Sequence, residues 1–183
     1  MSMTTEEFRY SGILAGWSLE IRGTANGIRE IRFGTSRKSA TPGKILPIWL
    51  STAIRQLEEY FRGERKRFDL PLAPPQGTDF QLKVWEACRE IPYGRMTSYG
   101  DLARRVGSPG AMRAIGQALH RNPLPLLVPC HRVVGKNGNL TGFAGGIEWK
   151  ARLLSLEKTE PELWQWPAEP KTSNARRQET RSR

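Results

Sequence analysis

Cysteine and histidine are scarce in this chain of 183 residues, which holds two of each. Two cysteines build no disulfide framework, and a reducing compartment keeps both as thiols. Cys88, His120, Cys130 and His131 add up to four potential ligands, but their spacing fits no zinc motif, and neither residue type occurs before Cys88. No metal and no cofactor are expected. Long apolar runs are also missing, so no segment reaches membrane-spanning length. The opening residues, Met1-Ser2-Met3-Thr4-Thr5-Glu6-Glu7, lack the basic-then-apolar order of a secretion signal. No internal repeat is found. What remains is a soluble, intracellular protein of one domain or two small ones, long enough for a real core.

Acidic residues are the other shortage. Asp and Glu total 18 against 29 Lys and Arg, a formal net charge of +11. The simplest partner for such a surface is a polyanion, with nucleic acid first. Part of the excess lies in the C-terminal tail, so a generally basic, soluble surface is the competing reading.

Along the chain, Ser18-Leu19-Glu20-Ile21-Arg22 and Ile28-Arg29-Glu30-Ile31-Arg32-Phe33 alternate in polarity, with Asn26-Gly27 between them as a hairpin signal. From Pro47 to about Arg62 the period becomes helical, with Ile54, Leu57 and Phe61 on one face. Phe68-Asp69-Leu70-Pro71-Leu72 is short and extended, and Ala73-Pro74-Pro75-Gln76-Gly77 has linker composition. Thr78-Asp79-Phe80-Gln81 has the form of a capping box opening a helix. Phe80, Val84 and Cys88 share one face of that helix, which makes Cys88 a core residue. Ile91-Pro92-Tyr93-Gly94 ends it.

Ser98 caps a short helix from Tyr99 to Val106, with Asp101 favourable in its first turn and Gly107 closing it. Ser108 is expected to cap a second helix, with Pro109 in its first turn and an end near His120. Two short helices across a tight glycine turn make a helix-turn-helix candidate. Met112, Ile115, Ala118 and Leu119 form the expected core stripe of the second helix. Arg113, Gln117 and His120 lie opposite. Gly110, Ala111, Ala114 and Gly116 keep the helix slim. An ordinary helix is about 10–12 Å across with its side chains and the DNA minor groove only about 6 Å wide, so small residues let the backbone approach. A plain surface helix with an incidental arginine is the alternative.

The chemistry concentrates in Pro129-Cys130-His131-Arg132-Val133-Val134-Gly135. A cysteine is nucleophilic as the thiolate, and a nearby imidazole is the usual way to produce one near neutral pH. Pro129 fixes its own φ and biases Val128 toward extended structure. A buried cysteine beside a satisfied histidine is the bland alternative.

Basic charge, a helix-turn-helix and an activated cysteine together suggest covalent chemistry on DNA. Residues from about Thr78 to Glu157 resemble the C-terminal domain of the O6-alkylguanine-DNA alkyltransferases, also called methylated-DNA–protein-cysteine methyltransferases. The segments that carry the resemblance are Ile91-Pro92-Tyr93-Gly94, Thr97-Ser98-Tyr99, Ala111-Met112-Arg113-Ala114-Ile115-Gly116, Asn122-Pro123, the Pro129–Gly135 run, and Gly142-Phe143-Ala144-Gly145-Gly146. The N-terminal part agrees in general layout only. The resemblance implies an α/β N-terminal scaffold domain over 1–75, a small antiparallel sheet plus a helix. A mostly helical DNA-binding and alkyl-transfer domain over 78–157 follows, with a winged-helix-like helix-turn-helix. From their polar, charged and proline-bearing composition, residues 158–183 are expected to form a tail, disordered from about Lys171, with Trp164 and Trp166 pointing to local docking of the part before Pro167.

The activity implied is single-turnover transfer of an alkyl group from O6-alkylguanine, and less so from O4-alkylthymine, in duplex DNA to the protein's own cysteine. By resemblance Cys130 is the acceptor, His131 the base acting through a water, and Glu157 the carboxylate that orients the imidazole. The base must leave the stack to be reached. Arg113 matches the arginine that enters the gap. Tyr99 matches the tyrosine that crowds the neighbouring phosphate and hydrogen-bonds the flipped guanine. Ala111, Ala114 and Gln117 would face DNA. Asn122, Pro125, Val133, Phe143, Ala144, Gly145 and Lys150 would line the substrate pocket, with the carbonyls of Cys130 and Val133 accepting from the exocyclic amine. Cys130 and His131 are expected in an extended strand, where neighbours point to opposite sides. Several relatives carry tyrosine at Phe143 and a polar residue at Ala144, so the pocket's size preference does not carry over. The expected partner is double-stranded DNA with alkylated bases, bound by a monomer, with cooperativity left open. For a prokaryotic source the expected location is the cytoplasm, at the nucleoid.

Three rival readings stand beside this one. A lesion-binding alkyltransferase-like protein would lack Cys130. A damage-sensing regulator would need an effector domain or a dimeric half-site geometry. A cysteine hydrolase would leave Arg113 and the slim helix unexplained.

Overall fold

The computed structural model describes residues 7–34, 39–40, 47–159 and 162–163. The chain opens with three antiparallel strands, β1 (Glu7–Leu14), β2 (Trp17–Thr24) and β3 (Gly27–Phe33), and a short β4 (Ser39–Ala40), in sheet order β3-β2-β1-β4. The β2–β3 turn falls on Ala25-Asn26, and Gly27, with φ of 119°, is already the first residue of β3. A Cβ there would stand 2.2 Å from the Pro71 carbonyl oxygen, so glycine is required. Helix α1 (Ile48–Phe61) covers the sheet with Leu50, Ala53, Leu57, Tyr60 and Phe61. Residues 71–73 then run beside β3, with Ile28 N–H donating to Pro71 (2.9 Å) and Ala73 N–H to Ile28 (2.9 Å).

Helix α2 (Asp79–Arg89) starts at a complete capping box: Thr78 accepts from Gln81 N–H, and Gln81 accepts from Thr78 N–H. Val84 and Cys88 are buried and Phe80 half-buried. Strand β5 (Thr97–Ser98) leads into α3 (Tyr99–Arg105), capped by the Ser98 hydroxyl. Helix α4 (Met112–His120) crosses α2, where the Trp85 indole donates to the Ala118 carbonyl (2.8 Å). A single 3-10 turn (Cys130–Arg132), β6 (Val133–Val134), parallel to β5, and α5 (Ile147–Leu156) complete the domain. No antiparallel hairpin follows α4 among the described residues, so the helix-turn-helix is seen without the wing of a winged helix.

Three expectations are corrected. Helix α4 begins at Met112, not after Ser108: residues 108–111 form a turn (Ala111 N–H to Ser108 O, 3.1 Å), and Gly110 sits at φ 90°, outside helical geometry. Met112 is therefore an end residue that overhangs the core. It is 53% exposed, and the buried stripe reduces to Ile115, Ala118 and Leu119. Cys130 and His131 occupy the 3-10 turn rather than a strand, because Cys130 N–H turns back to Val128 (2.7 Å) and Arg132 N–H to Pro129 (2.9 Å).

The sheet and the helical domain share one apolar core. Trp17 stacks on Phe61 at 4.8 Å and meets Trp149 of α5 at 5.1 Å, while the Arg152 guanidinium lies 4.3 Å from the Trp17 ring. Ile31 of β3 donates to the Pro123 carbonyl (2.9 Å), tying the sheet edge to the segment that leads into Cys130. Leu163 pairs with Met96 and packs with Val134 and Leu154. Trp164, Trp166 and the basic end from Lys171 lie outside the described residues.

Candidate active site

Cys130 lies behind the helix-turn-helix, 6% exposed. Burial pushes its thiol pKa up; a hydrogen bond from Asn122 and the charge of Lys150 work against that rise. Asn122 Nδ2 donates to Cys130 Sγ (3.2 Å) and to the Val128 carbonyl (2.9 Å), and its Oδ1 accepts from Leu124 N–H (3.0 Å). Since Asn122 directly follows α4 and its own N–H bonds to Leu119 (3.2 Å), one side chain joins the end of that helix to the sulfur. Pro125 is buried in the same loop.

His131 is fully buried. Its Nε2 lies 2.9 Å from Glu157 Oε1, and its Nδ1 has no hydrogen-bond partner among the described residues. Burial would raise the Glu157 pKa, but the hydrogen bonds and charges of His131 and Arg132 overcome this and hold it well below the ordinary carboxylate range. An ionised carboxylate only accepts, so Nε2 carries the proton in the neutral ring and Nδ1 is left as the bare lone pair. Burial lowers the His131 pKa against the raising effect of Glu157, which favours that neutral form.

Four residues hold Glu157, which caps the end of α5. Arg132 Nε and Nη2 donate to it at 3.0 and 2.8 Å, and Arg132 Nη1 donates to the Ile91 carbonyl (2.7 Å). Gly94 N–H reaches Oε2 (3.1 Å) from a left-handed φ of 73°. The Tyr60 hydroxyl donates to Oε1 at 2.5 Å, and His131 completes the set. The roles of Tyr60, Arg132 and Gly94 were not legible beforehand. Arg132 and Gly94 lie inside segments already singled out, whereas Tyr60 is 97 residues from its partner and gave no signal beyond its place on a helix.

Lys150 is fully buried and donates to the Val133 (2.6 Å) and Thr141 (2.8 Å) carbonyls. Burial brings its pKa down to about 8, with Cys130 acting in the other direction. The Cys130 carbonyl accepts from Val133 N–H, so both carbonyls expected to receive an exocyclic amine already hold one bond. A carbonyl has two lone pairs, and each retains one.

In front of this cluster lies a groove of about 1130 Å³. Tyr99, Arg104, Arg113, Gln117, Arg121 and Lys136 line it, with Met112 and Gly116 between them. The Tyr99 hydroxyl donates to the Thr141 and Gly142 carbonyls (3.5 and 3.4 Å). Burial raises its phenol pKa, so it remains a donor. Ala111, just before α4, is half-buried and Ala114 is exposed on it; neither is among the groove-lining residues. Phe143 is half-buried with its ring 6.1 Å from that of Phe33 in β3, Gly145 packs against both rings, and Ala144 is exposed. Among the described residues no cluster of three or more His, Cys, Asp or Glu could hold a metal ion.

A groove lined by Arg104, Arg113, Arg121 and Lys136 along a helix-turn-helix, with a buried Cys-His-Glu group in the same domain, is the layout of a DNA-binding protein. Residues 79–159 match the family described as "6-O-methylguanine DNA methyltransferase, DNA binding domain", and residues 15–74 match "6-O-methylguanine DNA methyltransferase, ribonuclease-like domain". The methylated-DNA–protein-cysteine methyltransferase of Methanosarcina acetivorans is 45% identical over 143 residues, 75% of this chain and 89% of that protein. The constitutive enzyme of that name from Bacillus subtilis is 59% identical over 110 residues, 60% of this chain and 66% of its own. The Mycobacterium tuberculosis OGT, solved in complex with DNA, superimposes with a TM-score of 0.72 at 42% identity, covering 82% of this chain and 92% of that one. The chain belongs to the methylated-DNA–protein-cysteine methyltransferase family.

Proposed function

We propose that this protein repairs duplex DNA by moving an alkyl group from O6 of guanine, and to a lesser degree from O4 of thymine, onto Cys130 Sγ. Each molecule acts once. The observation that carries the reading is the buried Cys130 next to a histidine whose Nε2 is fixed by Glu157 and whose Nδ1 is left as acceptor. His131 takes the thiol proton through a water, and the Asn122 donor and the Lys150 charge stabilise the thiolate. The sulfur attacks the alkyl carbon in line, the S–C bond forms, and the C–O6 bond breaks with its electron pair going to the base. Tyr99 turns from its carbonyl partners to the flipped base and supplies the proton the leaving guanine needs.

The groove supports the DNA half of the reading. Gly116 lies within α4, where glycine costs about 1 kcal/mol relative to alanine. A Cβ there would make only an ordinary contact of 3.9 Å with Tyr99, so packing does not demand glycine. Its smallness serves the approach of α4 to DNA. Arg113, exposed on the same face, fills the space of the extruded base, with Gln117, Ala111 and Ala114 beside it. Pro125, Phe143, Ala144 and Gly145 shape the pocket. We assign 1–75 a scaffolding and positioning role, 78–157 the binding and transfer, and place the protein as a monomer at the nucleoid of a prokaryotic cytoplasm. No helix among the described residues is long and apolar enough to cross a membrane.

The test is intact mass and peptide mapping after mixing with a duplex that contains one O6-methylguanine. A gain of one methylene on Cys130, with guanine restored, is expected. Tight binding without a mass change would overturn the transfer reading.

A further inference from the structure

We infer that Tyr60, in the N-terminal domain, is a positioning residue for the transfer site: its hydroxyl holds the Glu157 carboxylate so that Oε1 meets His131 Nε2. The inference rests on the alkyl-transfer reading for its consequence, but not for its geometry.

Tyr60 lies on the inner face of α1 and is fully buried. Phe68 at 5.2 Å, Phe61 at 5.6 Å and Tyr93 at 6.0 Å surround its ring. Phenylalanine would fill such a site as well, and burying a hydroxyl among rings is unfavourable unless it is paired. The hydroxyl has a partner, Glu157 Oε1 at 2.5 Å. Burial first, and the neighbouring carboxylate second, push the phenol pKa well up, so the group stays protonated and can only donate to Glu157.

The carboxylate needs such a hold. Glu157 caps the last turn of α5, and Lys158 beyond it sits at φ 49°, so the chain is leaving the helix at this point. Arg132 spans both carboxylate oxygens and Gly94 takes Oε2. Among the described residues Tyr60 is the one partner from the N-terminal domain, and it bonds the same oxygen as the imidazole. The charged and titratable groups around the pair are Arg132 and Cys130 from the cysteine turn, Tyr93 from the loop after α2, and Lys150 from α5. Losing the Tyr60 hydroxyl leaves Glu157 a stronger acceptor that is less well aimed.

The readout is the His131 ring, one of two histidines in the chain. Its imidazole 15N shifts give tautomer and protonation directly, with exposed His120 as the reference signal. Wild-type protein should show a neutral ring protonated at Nε2. In Tyr60→Phe the pH at which His131 protonates should rise by about 1 to 2 units, the equivalent of one hydrogen bond to a charged group. Benzyl transfer from O6-benzylguanine should slow by roughly three- to tenfold. Phe68→Leu is the control, since it loosens the packing around Tyr60 and leaves the hydroxyl. An unchanged His131 titration in Tyr60→Phe, or an equal change in Phe68→Leu, overturns the inference. A His131 shift confined to Tyr60→Phe, in a protein that takes no benzyl group even as wild type, upholds the positioning role and overturns the transfer reading instead.

Discussion

At the residue scale the site depends on one buried ion pair with more than one duty. Glu157 neutralises Arg132, orients His131 and accepts from Tyr60, and all four residues are buried. Removing one partner of a buried pair leaves the other charge uncompensated, at a cost of about 3–5 kcal/mol. Glu157→Gln is therefore expected to lower stability by about 3 kcal/mol at neutral pH, measured by denaturant unfolding. It should slow alkyl transfer by about a hundredfold, the lower range for a general base. The pH dependence has a fixed sign. The folded-state pKa of Glu157 lies below its ordinary value of 4.5, so its contribution is complete above that value and is lost as pH falls through the folded-state pKa. Wild-type stability should decline as pH drops below about 4.5, and Glu157→Gln should flatten that decline. An equal acid slope in both proteins would contradict the assignment.

At the scale of elements, α4 and the cysteine turn act as a pair linked by Asn122. Exposed Arg113 stands on the groove side of α4, and Cys130 lies behind. Arg113→Ala should slow repair of O6-methylguanine in duplex DNA at least about tenfold, while reaction with free O6-benzylguanine changes little, since only the duplex requires the base to be flipped. Single-turnover rates on both substrates decide it, and an equal loss on both would argue against a flipping role. These elements also show what could be read in advance. The capping box at Thr78, the Ser98 cap and the alternation of β2 and β3 follow from local rules, and they were legible. The start of α4 was not. Ser108-Pro109 has the composition of a helix start, but Gly110 takes a left-handed turn that no local rule requires. The 3-10 turn at Cys130 was missed for a similar reason: Pro129 restrains the backbone without fixing which way the next residues fold.

At the scale of the whole molecule the two halves are less separate than the sequence suggests. The proline-rich stretch at 73–77 has linker composition, yet the apolar core continues across it. The Trp17–Trp149–Arg152 cluster, the Ile31–Pro123 hydrogen bond and Tyr60–Glu157 all join residues far apart in the chain. Cys130 and His131 could be picked out from their own chemistry, and Glu157 because a resemblance pointed to it. The support they receive from β3 and α1 could not, because periodicity shows which face of an element is buried and not what it is buried against.

The burial of Cys88 has a practical consequence. Its thiol is wholly enclosed between α2 and the core, and burial raises its pKa well above the ordinary value, while Cys130 keeps a sliver of access to solvent. The molecule thus carries its own internal standard for counting turnovers. A thiol-specific alkylating reagent given long exposure to native protein should modify Cys130 and spare Cys88; in denaturant it should modify both. After a round of repair the native count should fall to none and the denatured count to one. Two numbers from a single sample would then report the fraction of protein spent and the fraction that was never folded.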